Sequence, residues 1–398
     1  MGINRQYIII GVANREGACF SQEAAALLPQ HTVFSGGDRH YALVKQWLPV
    51  GHTWISIKGD MLTLFAAYRQ VQSPVVVFAS GDPLFYGILQ TIQKYDTDAN
   101  IAVYPHFNSI QRLCAKINQP YQHVKNTSVH GRSWQELDEA LLRNEPLIAV
   151  LTDGVKDPKA IARRLIEYRF TQYEMTIGED LDNVQERIRT CSPEQALQQD
   201  FHSLNVVLLK QVQASTTPGL GINDQLFKGL DGRPNMITKK TVRLLSLSCL
   251  QLHQASVFWD IGSCTGSMAI EAKRLYPHLQ VLAFEKRHEC QAIIQHNMQQ
   301  LSAPGIDIYM GDFFNCNHYS LPVPDAVFIG GHSNRLAELM ELIDKHLIKG
   351  GTVVMNAVLE NSRHDFVTKA AALGWQQNTP QMIKADDHNP ITVLTATK

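Results

Sequence analysis

Hydrophobic and polar positions alternate along the first part of the chain in the manner of strands and helices. Short apolar runs typical of buried strands lie at residues 7–12, 54–57, 75–79, 101–104, 147–151, 173–177 and 205–209. Helical spacing of apolar positions separates them at residues 41–48, 62–70, 84–95, 134–143 and 158–168. This alternation predicts an α/β fold with parallel-rich sheets.

The pattern is interrupted at residues 211–222, a polar stretch that contains Pro218, Gly219 and Gly221 and is typical of a linker. A second alternation follows, with strands predicted at residues 257–259, 281–284, 306–310, 326–329, 352–358 and 391–396. We therefore predict two domains, residues 1–210 and 223–398, which are joined by the linker at 211–222.

The second domain opens with a strand that ends in Asp260, a glycine turn and the start of a helix. Gly262 and Gly266 permit unusual backbone angles and the close approach of a ligand, and the helix N-terminus offers free N–H groups to it. The spacing G-x-x-x-G differs from the G-x-G-x-x-G of dinucleotide-binding folds. Between the two glycines stand Ser263, Cys264 and Thr265.

The next two predicted strands also end in polar residues. Glu285 ends the second strand, where a carboxylate can accept hydrogen bonds from two ribose hydroxyls. Gly311, Asp312 and Phe313 end the third strand, and an acid beside an aromatic ring suits an adenine. Each of these strand ends alone fits an ordinary α/β turn. Together they resemble the S-adenosylmethionine site of the Rossmann-like methyltransferases, which implies cofactor contacts by the strand-end and turn residues from Asp260 to Phe313.

In the first domain, the string S-G-D-P-L-F-Y-G at residues 80–87 follows a buried strand. Gly81 allows a ligand to approach the backbone, Asp82 can cap a following helix, and Pro83 fits the first helical turn. A well-made strand-to-helix turn is an equally good explanation. At residues 34–40, Arg39 and His40 follow two glycines as candidate cations for an acidic substrate, although an exposed charged loop explains them as well.

Shorter motifs follow these two in the order P-H-F-N-S, H-G-R and L-T-D. With G-G-x-R-H and S-G-D-P-L-F-Y-G they resemble the tetrapyrrole methylases, and most of all the C-5-methylating enzymes of the cobalamin pathway, over residues 5–210. The resemblance implies a fold of two subdomains and substrate contacts at Arg39, His40 and Arg132. It implies cofactor contacts at Gly81, Asp82, Pro83, Asn108, Ser109 and Thr152. The chain departs from that family in residues 11–17, where a G-x-G-P-G loop is usual.

Residues 221–227 and 236–243 resemble the P-G-I-x-D-x-x-F and I-T-K-x-E-V-R segments of C-15-methylating, decarboxylating enzymes. This resemblance adds Thr238 to the implied cofactor contacts and makes Lys239 and Lys240 weaker candidates for substrate carboxylates. Thr241 replaces the family's acid, and Cys264 replaces its middle glycine. The whole chain thus resembles the fused C5,15-methyltransferases, which implies two methylations that use S-adenosylmethionine and the loss of carbon dioxide from an acetate side chain.

Composition narrows the function classes. The 398 residues are 44% hydrophobic and 18% charged, with a net charge of −1 and a pI of about 7.0. This balance argues against a nucleic-acid binder, and no apolar run approaches the ~18 residues of a membrane span. The apolar part of the first ten residues is too short for a signal peptide. The seven cysteines contain no C-x-x-C pair, which indicates reduced thiols and no metal site.

We accordingly expect a cytoplasmic enzyme with a small tetrapyrrole substrate, and the resemblance implies a homo-oligomer. Three alternatives remain at this point. An RNA or DNA methyltransferase shares the second fold, but its usual N/D-P-P-Y/F string is replaced by F-I-G-G-H at residues 328–332. A non-enzymatic S-adenosylmethionine-binding protein and an enzyme with only its C-terminal half active are the others. No Ser/His/Asp or Cys/His constellation is evident, so we expect catalysis by orientation and exclusion of water.

Overall fold

A computed structural model describes residues 5–13, 15, 20–215, 218–233, 236–384 and 389–398. Residues 14, 16 and 17 of the unusual loop at residues 11–17 therefore lie outside the described residues. The chain divides into two compact units, one of residues 1–132, 146–162 and 174–210, and one of residues 133–145, 163–173 and 211–398. The domain boundaries at 210 and 223 concern independent folding and stay a prediction.

The strands up to residue 211 are β1 (Gln6–Val12), β2 (Val33–Gly36), β3 (Thr53–Ser56), β4 (Val75–Ser80), β5 (Asn100–Tyr104), β6 (Lys125–Ser128), β7 (Leu147–Leu151), β8 (Tyr173–Glu179), β9 (Arg187–Cys191) and β10 (Asn205–Gln211). The helices are α1 (Gln22–Leu27), α2 (Asp38–Val44), α3 (Met61–Arg69), α4 (Ile88–Tyr95), α5 (Ser109–Lys116), α6 (Gln135–Leu142), α7 (Pro158–Glu167) and α8 (Pro193–Leu197). Short 3-10 helices lie at Leu28–Gln30 and Lys45–Trp47.

These strands form two sheets. The first has the order β3-β2-β4-β1-β5, and its pairings are parallel. Its central strands, β1 and β4, are apolar on both faces because both are covered, as the continuous runs I-I-I and V-V-V-F require. The second sheet has the order β6-β7-β10-β8-β9 and is mixed, since β6 runs parallel to β7 while β10 is antiparallel to β7 and β9 to β8.

The remaining elements build one larger sheet and its helices. The strands are β11 (Val257–Ile261), β12 (Gln280–Glu285), β13 (Ile306–Met310), β14 (Ala326–Ile329), β15 (Thr352–Ala357), β16 (Gln376–Gln377), β17 (Gln381–Ile383) and β18 (Ile391–Thr397). The helices are α9 (Lys240–Cys249), α10 (Ser267–Leu275), α11 (Glu289–Gln300), α12 (Leu336–His346) and α13 (Glu360–Ala372). Short 3-10 helices lie at Asp224–Leu226, Leu252–Gln254, Phe313–Asn315 and His318–Ser320.

This sheet has eight strands in the order β13-β12-β11-β14-β15-β18-β16, with β17 paired to β18. The strands from β13 to β15 are parallel, and β18 is antiparallel to β15. From β11 the chain continues to β12 and β13 on one side of β11, and then crosses to β14 and β15 on its other side. Such a change of direction opens a crevice at the carboxyl ends of the strands, where open α/β sheets bind ligands.

The predicted α/β architecture is confirmed, and one local prediction about the first unit is wrong. The helix expected from residue 84 begins only at Ile88, with Gly87 as its N-cap. Tyr86 has a φ of 52°, and a Cβ on Gly87 would lie 2.4 Å from the Pro83 carbonyl oxygen, so residues 80–87 form a compact turn instead. Asp82 therefore caps this turn through Leu84 N (2.9 Å) and does not cap the helix.

Candidate functional site

A cavity of about 630 Å³ lies at the carboxyl ends of β11, β12, β13 and β14. This volume is within the usual range for small-molecule sites. Nine of the residues predicted to contact a cofactor line it, namely Thr238, Asp260, Gly262, Ser263, Cys264, Thr265, Glu285, Asp312 and Phe313. The tertiary structure thus brings together residues that are separated by up to 75 positions in the sequence.

The glycine turn after β11 is shaped by close backbone contacts. Gly262 has a φ of 80°, and a Cβ there would lie 2.7 Å from the Gly331 nitrogen, so a side chain does not fit. Gly266 has a φ of 76° and is the N-cap of α10. A Cβ on Gly266 would meet Ile294 of α11 at 3.1 Å, and Gly266 is not among the residues that line the cavity. It serves helix packing in this structure.

Asp260 lies beneath this turn and is almost fully buried. One of its carboxylate oxygens accepts hydrogen bonds from Ser263 Oγ (2.7 Å) and Ala269 N (3.2 Å). Burial raises the pKa of Asp260 to about 7, against the effect of these two donors. The side chain therefore holds both the turn and the first turn of α10 in place.

Glu285, at the end of β12, is an ionised acceptor on the cavity wall. One oxygen accepts from Cys264 N (2.8 Å) and Arg287 Nη2 (3.1 Å), and the other from Arg287 N (2.9 Å) and Arg287 Nε (2.9 Å). Burial works to raise the pKa of Glu285, but the donors from Arg287 and Cys264 outweigh it and leave the pKa below its usual value. The carboxylate stands where the sequence pattern predicted a ribose partner.

The end of β13 supplies Asp312 and Phe313. The Asp312 side chain is exposed and accepts a hydrogen bond from Phe314 N (3.1 Å) with one oxygen. The Phe313 ring is 6% exposed and packs edge-on against Phe284 and Trp259, with centroids 4.9 and 5.8 Å apart. The aromatic cluster therefore covers most of the ring that was predicted to stack on an adenine.

Two buried polar atoms on the cavity wall have no hydrogen-bond partner among the described residues. They are the Thr265 hydroxyl and Nδ1 of His332. Buried polar atoms in proteins are nearly always paired, so these two suit a polar ligand. Burial lowers the pKa of His332, which keeps the imidazole neutral near pH 7. His332 lies in the F-I-G-G-H string but was not predicted as a site residue.

A buried arginine, Arg243 of α9, fixes the wall formed by residues 236–239. Its guanidinium donates to Glu271 (2.9 Å), Asp224 (3.0 Å) and the Thr238 carbonyl (2.6 Å), and it lies over the ring of Phe227. Glu271 also accepts from Gly221 N (2.7 Å). Asp224 and Phe227 of the first motif segment and Thr238 of the second therefore meet around the guanidinium of Arg243.

The predicted linker is therefore not free along its whole length. Val212 N donates to the Gln172 carbonyl, and Arg274 donates to the carbonyl of Pro218. Ile222 is 2% exposed and packs in the core of the second unit. Of the two lysines proposed for substrate carboxylates, Lys239 lines the cavity, whereas Lys240 is exposed and donates to Asn223.

In the first unit, the turn at residues 80–87 packs tightly against its neighbours. Gly81 has a φ of 62°, and a Cβ there would lie 2.8 Å from Cα of Asn108. Gly81 N donates to the Val12 carbonyl, and its own carbonyl accepts from His106 N. The ends of β1, β4 and β5 therefore meet at Gly81, while the approach of a ligand to its backbone stays a prediction.

Asn108 and Ser109 open α5 at this junction. Asn108 is the N-cap, with its side chain accepting from Gln111 N (2.9 Å) and the Gln111 side chain accepting from Asn108 N (3.0 Å). The prediction that Asn108 caps a helix is confirmed. Ser109 is the first residue of the helix. Pro83 lies in the turn that precedes α4 and not in its first helical turn, so that prediction is wrong.

Arg39 and His40 meet at Ser80, the last residue of β4. Arg39 Nη2 donates to Ser80 Oγ (2.8 Å), and His40 Nε2 is 2.9 Å from the same oxygen. Burial, with a smaller contribution from the charge of Arg39, lowers the pKa of His40 to about 4. His40 is therefore neutral near pH 7, and its prediction as a cation is wrong.

Thr152 and Arg132 lie on the second sheet and its loops. The Thr152 hydroxyl is buried and donates to the side-chain oxygen of Asn205 (2.7 Å), which ties β7 to β10. The Arg132 guanidinium lies 5.1 Å from the ring centroid of Tyr86, and its carbonyl accepts from Lys156. A contact of either residue with a ligand stays a prediction.

In the described ranges, no group of three or more His, Cys, Asp or Glu side chains is arranged to hold a metal ion. Among the helices that the structure describes, none combines the length and the apolar character needed to cross a membrane.

Comparison with known proteins gives matches along both parts of the chain. Residues 22–196 match the family model "Tetrapyrrole (Corrin/Porphyrin) Methylases", and residues 230–396 match the model "Precorrin methyltransferase domain". The chain is 31% identical to the precorrin-6Y C(5,15)-methyltransferase [decarboxylating] of Sinorhizobium sp, over 92% of this chain and 88% of the relative.

Two relatives from Salmonella typhimurium match only part of the chain. The cobalt-precorrin-6B C(15)-methyltransferase (decarboxylating) is 36% identical over 38% of this chain and 77% of its own length. The cobalt-precorrin-7 C(5)-methyltransferase is 29% identical over 51% of this chain and 98% of its own length.

Proposed function

This chain belongs to the family of decarboxylating precorrin-6Y C(5,15)-methyltransferases, and from that premise we propose that it methylates C-5 and C-15 of precorrin-6B, or of its cobalt form, in cobalamin biosynthesis. The reaction includes loss of carbon dioxide from the acetate side chain of ring C. The observation that carries the proposal is the union, in one chain, of a tetrapyrrole methylase segment and a precorrin methyltransferase segment. The C(15)-methyltransferase and the C(5)-methyltransferase of Salmonella typhimurium each match a stretch of this chain that is similar in length to one of these segments.

S-adenosylmethionine is the methyl donor in this proposal, and the cavity of the second unit fits it. Glu285 places an ionised carboxylate on the cavity wall for the ribose, and Asp312 retains an oxygen for the base. Thr265 and His332 offer buried polar atoms that lack partners among the described residues. When bound, this donor supplies an activated methyl group to a nucleophilic carbon.

The chain's own residues contribute orientation and shelter from water. Gly262 and Gly331 bring the loops after β11 and β14 into contact, which fixes the cavity wall on both sides of the turn. Near-attack alignment of two reactants can lower a barrier by about 7–11 kcal/mol. We infer that the tetrapyrrole itself supplies the nucleophilic carbon and the electron sink for decarboxylation, so a strong protein base is not needed.

We assign C-5 methylation to the first unit and C-15 methylation with decarboxylation to the second. In the first unit, Gly81, Asp82, Pro83, Asn108, Ser109 and Thr152 are the candidate contacts to the donor. Arg39 and Arg132 are its candidate cations for the carboxylates of the tetrapyrrole, since an arginine matches a carboxylate with two parallel hydrogen bonds. A homo-oligomer is part of the proposal through the family resemblance, and light scattering tests it.

Two rival functions predict different behaviour. A nucleic-acid methyltransferase would need a basic face for phosphates, whereas the net charge is −1. A non-enzymatic protein would bind S-adenosylmethionine without turnover. The test is to incubate the full chain with S-adenosylmethionine and with the metal-free or the cobalt-containing precursor, and to weigh the products. We expect a gain of two methyl groups and a loss of one carbon dioxide, and absence of any mass change would refute the proposal.

A further inference from the structure

The hydrogen bonds of Glu285 leave little room for a ribose. An ionised carboxylate has about four acceptor positions. In this structure four donors occupy them, namely two backbone N–H groups from Cys264 and Arg287 and two side-chain groups from Arg287. A ribose diol can therefore bind Glu285 only where one of these donors leaves.

The donors differ in how easily they can leave. The N–H of Cys264 belongs to the tight turn after β11, and the N–H of Arg287 belongs to the chain directly after β12, so both are fixed by the backbone. They occupy one position on each carboxylate oxygen. The Arg287 side chain occupies the other position on each oxygen, with distances of 2.9 and 3.1 Å. It is 26% exposed and can rotate.

The Arg287 fork resembles a vicinal diol in what it offers to the carboxylate. Nε and Nη2 donate two roughly parallel hydrogen bonds, one to each oxygen. Two neighbouring ribose hydroxyls would donate in the same manner. The guanidinium and the diol are therefore competitors for the same two acceptor positions.

We propose that Arg287 is a latch on the nucleoside site, which closes on Glu285 in the free protein and is displaced by the ribose diol of the methyl donor. The released guanidinium then binds a carboxylate of the tetrapyrrole. Arg287 lines the same cavity as Lys286 and Lys239, so its displacement adds a cation to the wall that receives an acidic substrate. This inference rests on the proposed function, because it requires a nucleoside with a diol.

The latch couples the two ligands. Before the donor binds, the guanidinium is neutralised by Glu285 and is not available to the substrate. The methyl donor and the tetrapyrrole both bind better when Arg287 has left Glu285. Each ligand therefore raises the affinity for the other by the same factor. Occupation of the closed state also raises the apparent dissociation constant of the donor.

The test is the binding of S-adenosylhomocysteine to the full chain by calorimetry, for wild type and Arg287→Gln. The site in the second unit is identified as the one that Glu285→Ala weakens. Removal of a partly exposed competitor should tighten this site roughly three- to ten-fold. An analogue without the 2′- and 3′-hydroxyls should show no tightening. If Arg287 instead only supported the shape of the site, Arg287→Gln would weaken the binding of both nucleosides.

Arg233→Gln is the matched control. Arg233 also contacts the Met236 sulfur, as Arg287 does, but its guanidinium makes no bond with Glu285. This control should leave the dissociation constant unchanged. With the donor saturating, Arg287→Gln should raise the KM for the tetrapyrrole about ten-fold.

The outcomes separate the inference from its premise. Unchanged or weaker binding of S-adenosylhomocysteine by Arg287→Gln overturns the latch, and an unchanged KM overturns the role of the released cation. If Glu285→Ala binds S-adenosylhomocysteine as tightly as the wild type at every site, the assignment of the cavity to S-adenosylmethionine is overturned.

Discussion

Replacement of Arg243 by methionine tests how the cavity wall is held. The Arg243 side chain is fully buried, and its partner Glu271 is 2% exposed. Methionine keeps most of the volume but removes every donor. Glu271 would then keep its backbone donors from Gly221 and Ile222 but lose its cation. The carbonyl oxygens of Thr238 and Ile222 would each lose a donor as well.

The expected loss of stability is large. Breaking a buried ion pair by removing one partner typically costs about 3–5 kcal/mol, because the other charge remains buried. A factor of ten in an equilibrium corresponds to about 1.4 kcal/mol. Opening of the second unit should therefore become roughly 10²- to 4 × 10³-fold more frequent.

Hydrogen exchange followed by mass spectrometry measures this opening for each segment of the chain. We expect peptides from β11 and α10 to exchange faster by that factor in Arg243→Met, while peptides from β4 in the first unit keep the wild-type rate. The exposed pair of Arg335 and Glu338 offers a control, and Arg335→Met should leave exchange in β11 unchanged.

A second variant shows whether the isolated charge causes the loss. The double variant Arg243→Met, Glu271→Met removes both charges and should recover part of the protection, because no buried carboxylate is left without its cation. The reasoning is refuted where Arg243→Met exchanges less than about five-fold faster in β11, or where the double variant opens far more readily than the single one.

The remaining predictions concern both sites. Glu285→Ala should weaken S-adenosylhomocysteine at the second-unit site about ten-fold or more, measured by calorimetry, since hydrogen bonds to a charged group contribute about 1.5–3 kcal/mol. Gly81→Arg should abolish the C-5 methylation and spare the C-15 methylation in product masses, because a Cβ there meets Asn108 at 2.8 Å; loss of both in a folded variant would contradict independent sites. Ionisation of Asp260 should lower the stability of the folded protein as pH rises from about 4 toward 7, because its folded pKa of about 7 lies above the ordinary 3.8. In Asp260→Asn the midpoint of urea unfolding should therefore depend less on pH over that window. Residues 213–398 expressed alone should bind S-adenosylhomocysteine and release carbon dioxide from the precursor. They should be less stable than in the full chain because the second unit also contains residues 133–145 and 163–173; a folded but inactive piece would contradict the division of labour.

Local chemistry made several features readable from the sequence. A strand that is covered on both faces is apolar on both, so a continuous apolar run such as V-V-V-F at β4 predicts a buried strand from the sequence alone. A turn with positive φ favours glycine, which made the turn at Gly262 visible, whereas the approach of the Gly331 backbone was not predicted. Polar residues at the carboxyl ends of parallel strands meet at one sheet edge, which is why Asp260, Glu285 and Asp312 could be grouped before their positions were known.

Other features depend on partners that are distant in the sequence, and only the tertiary structure decided them. Nothing next to His40 in the sequence indicates the burial that lowers its pKa to about 4. Gly266 looked like part of the cofactor turn, but its close neighbour is Ile294 of another helix. In the sequence, Arg243 was only the last residue of a motif, whereas in the structure it donates to Glu271, Asp224 and the Thr238 carbonyl on three separate segments. The sequence by itself determined the long apolar strands and the sheet edge that forms the site, because these follow from local periodicity and backbone sterics, whereas a short polar strand such as β9 was not predicted. The protonation of His40, the occupation of Glu285 by Arg287 and the anchoring of the wall by Arg243 were decided by the tertiary structure, because charge and hydrogen bonding depend on which distant groups share a buried volume.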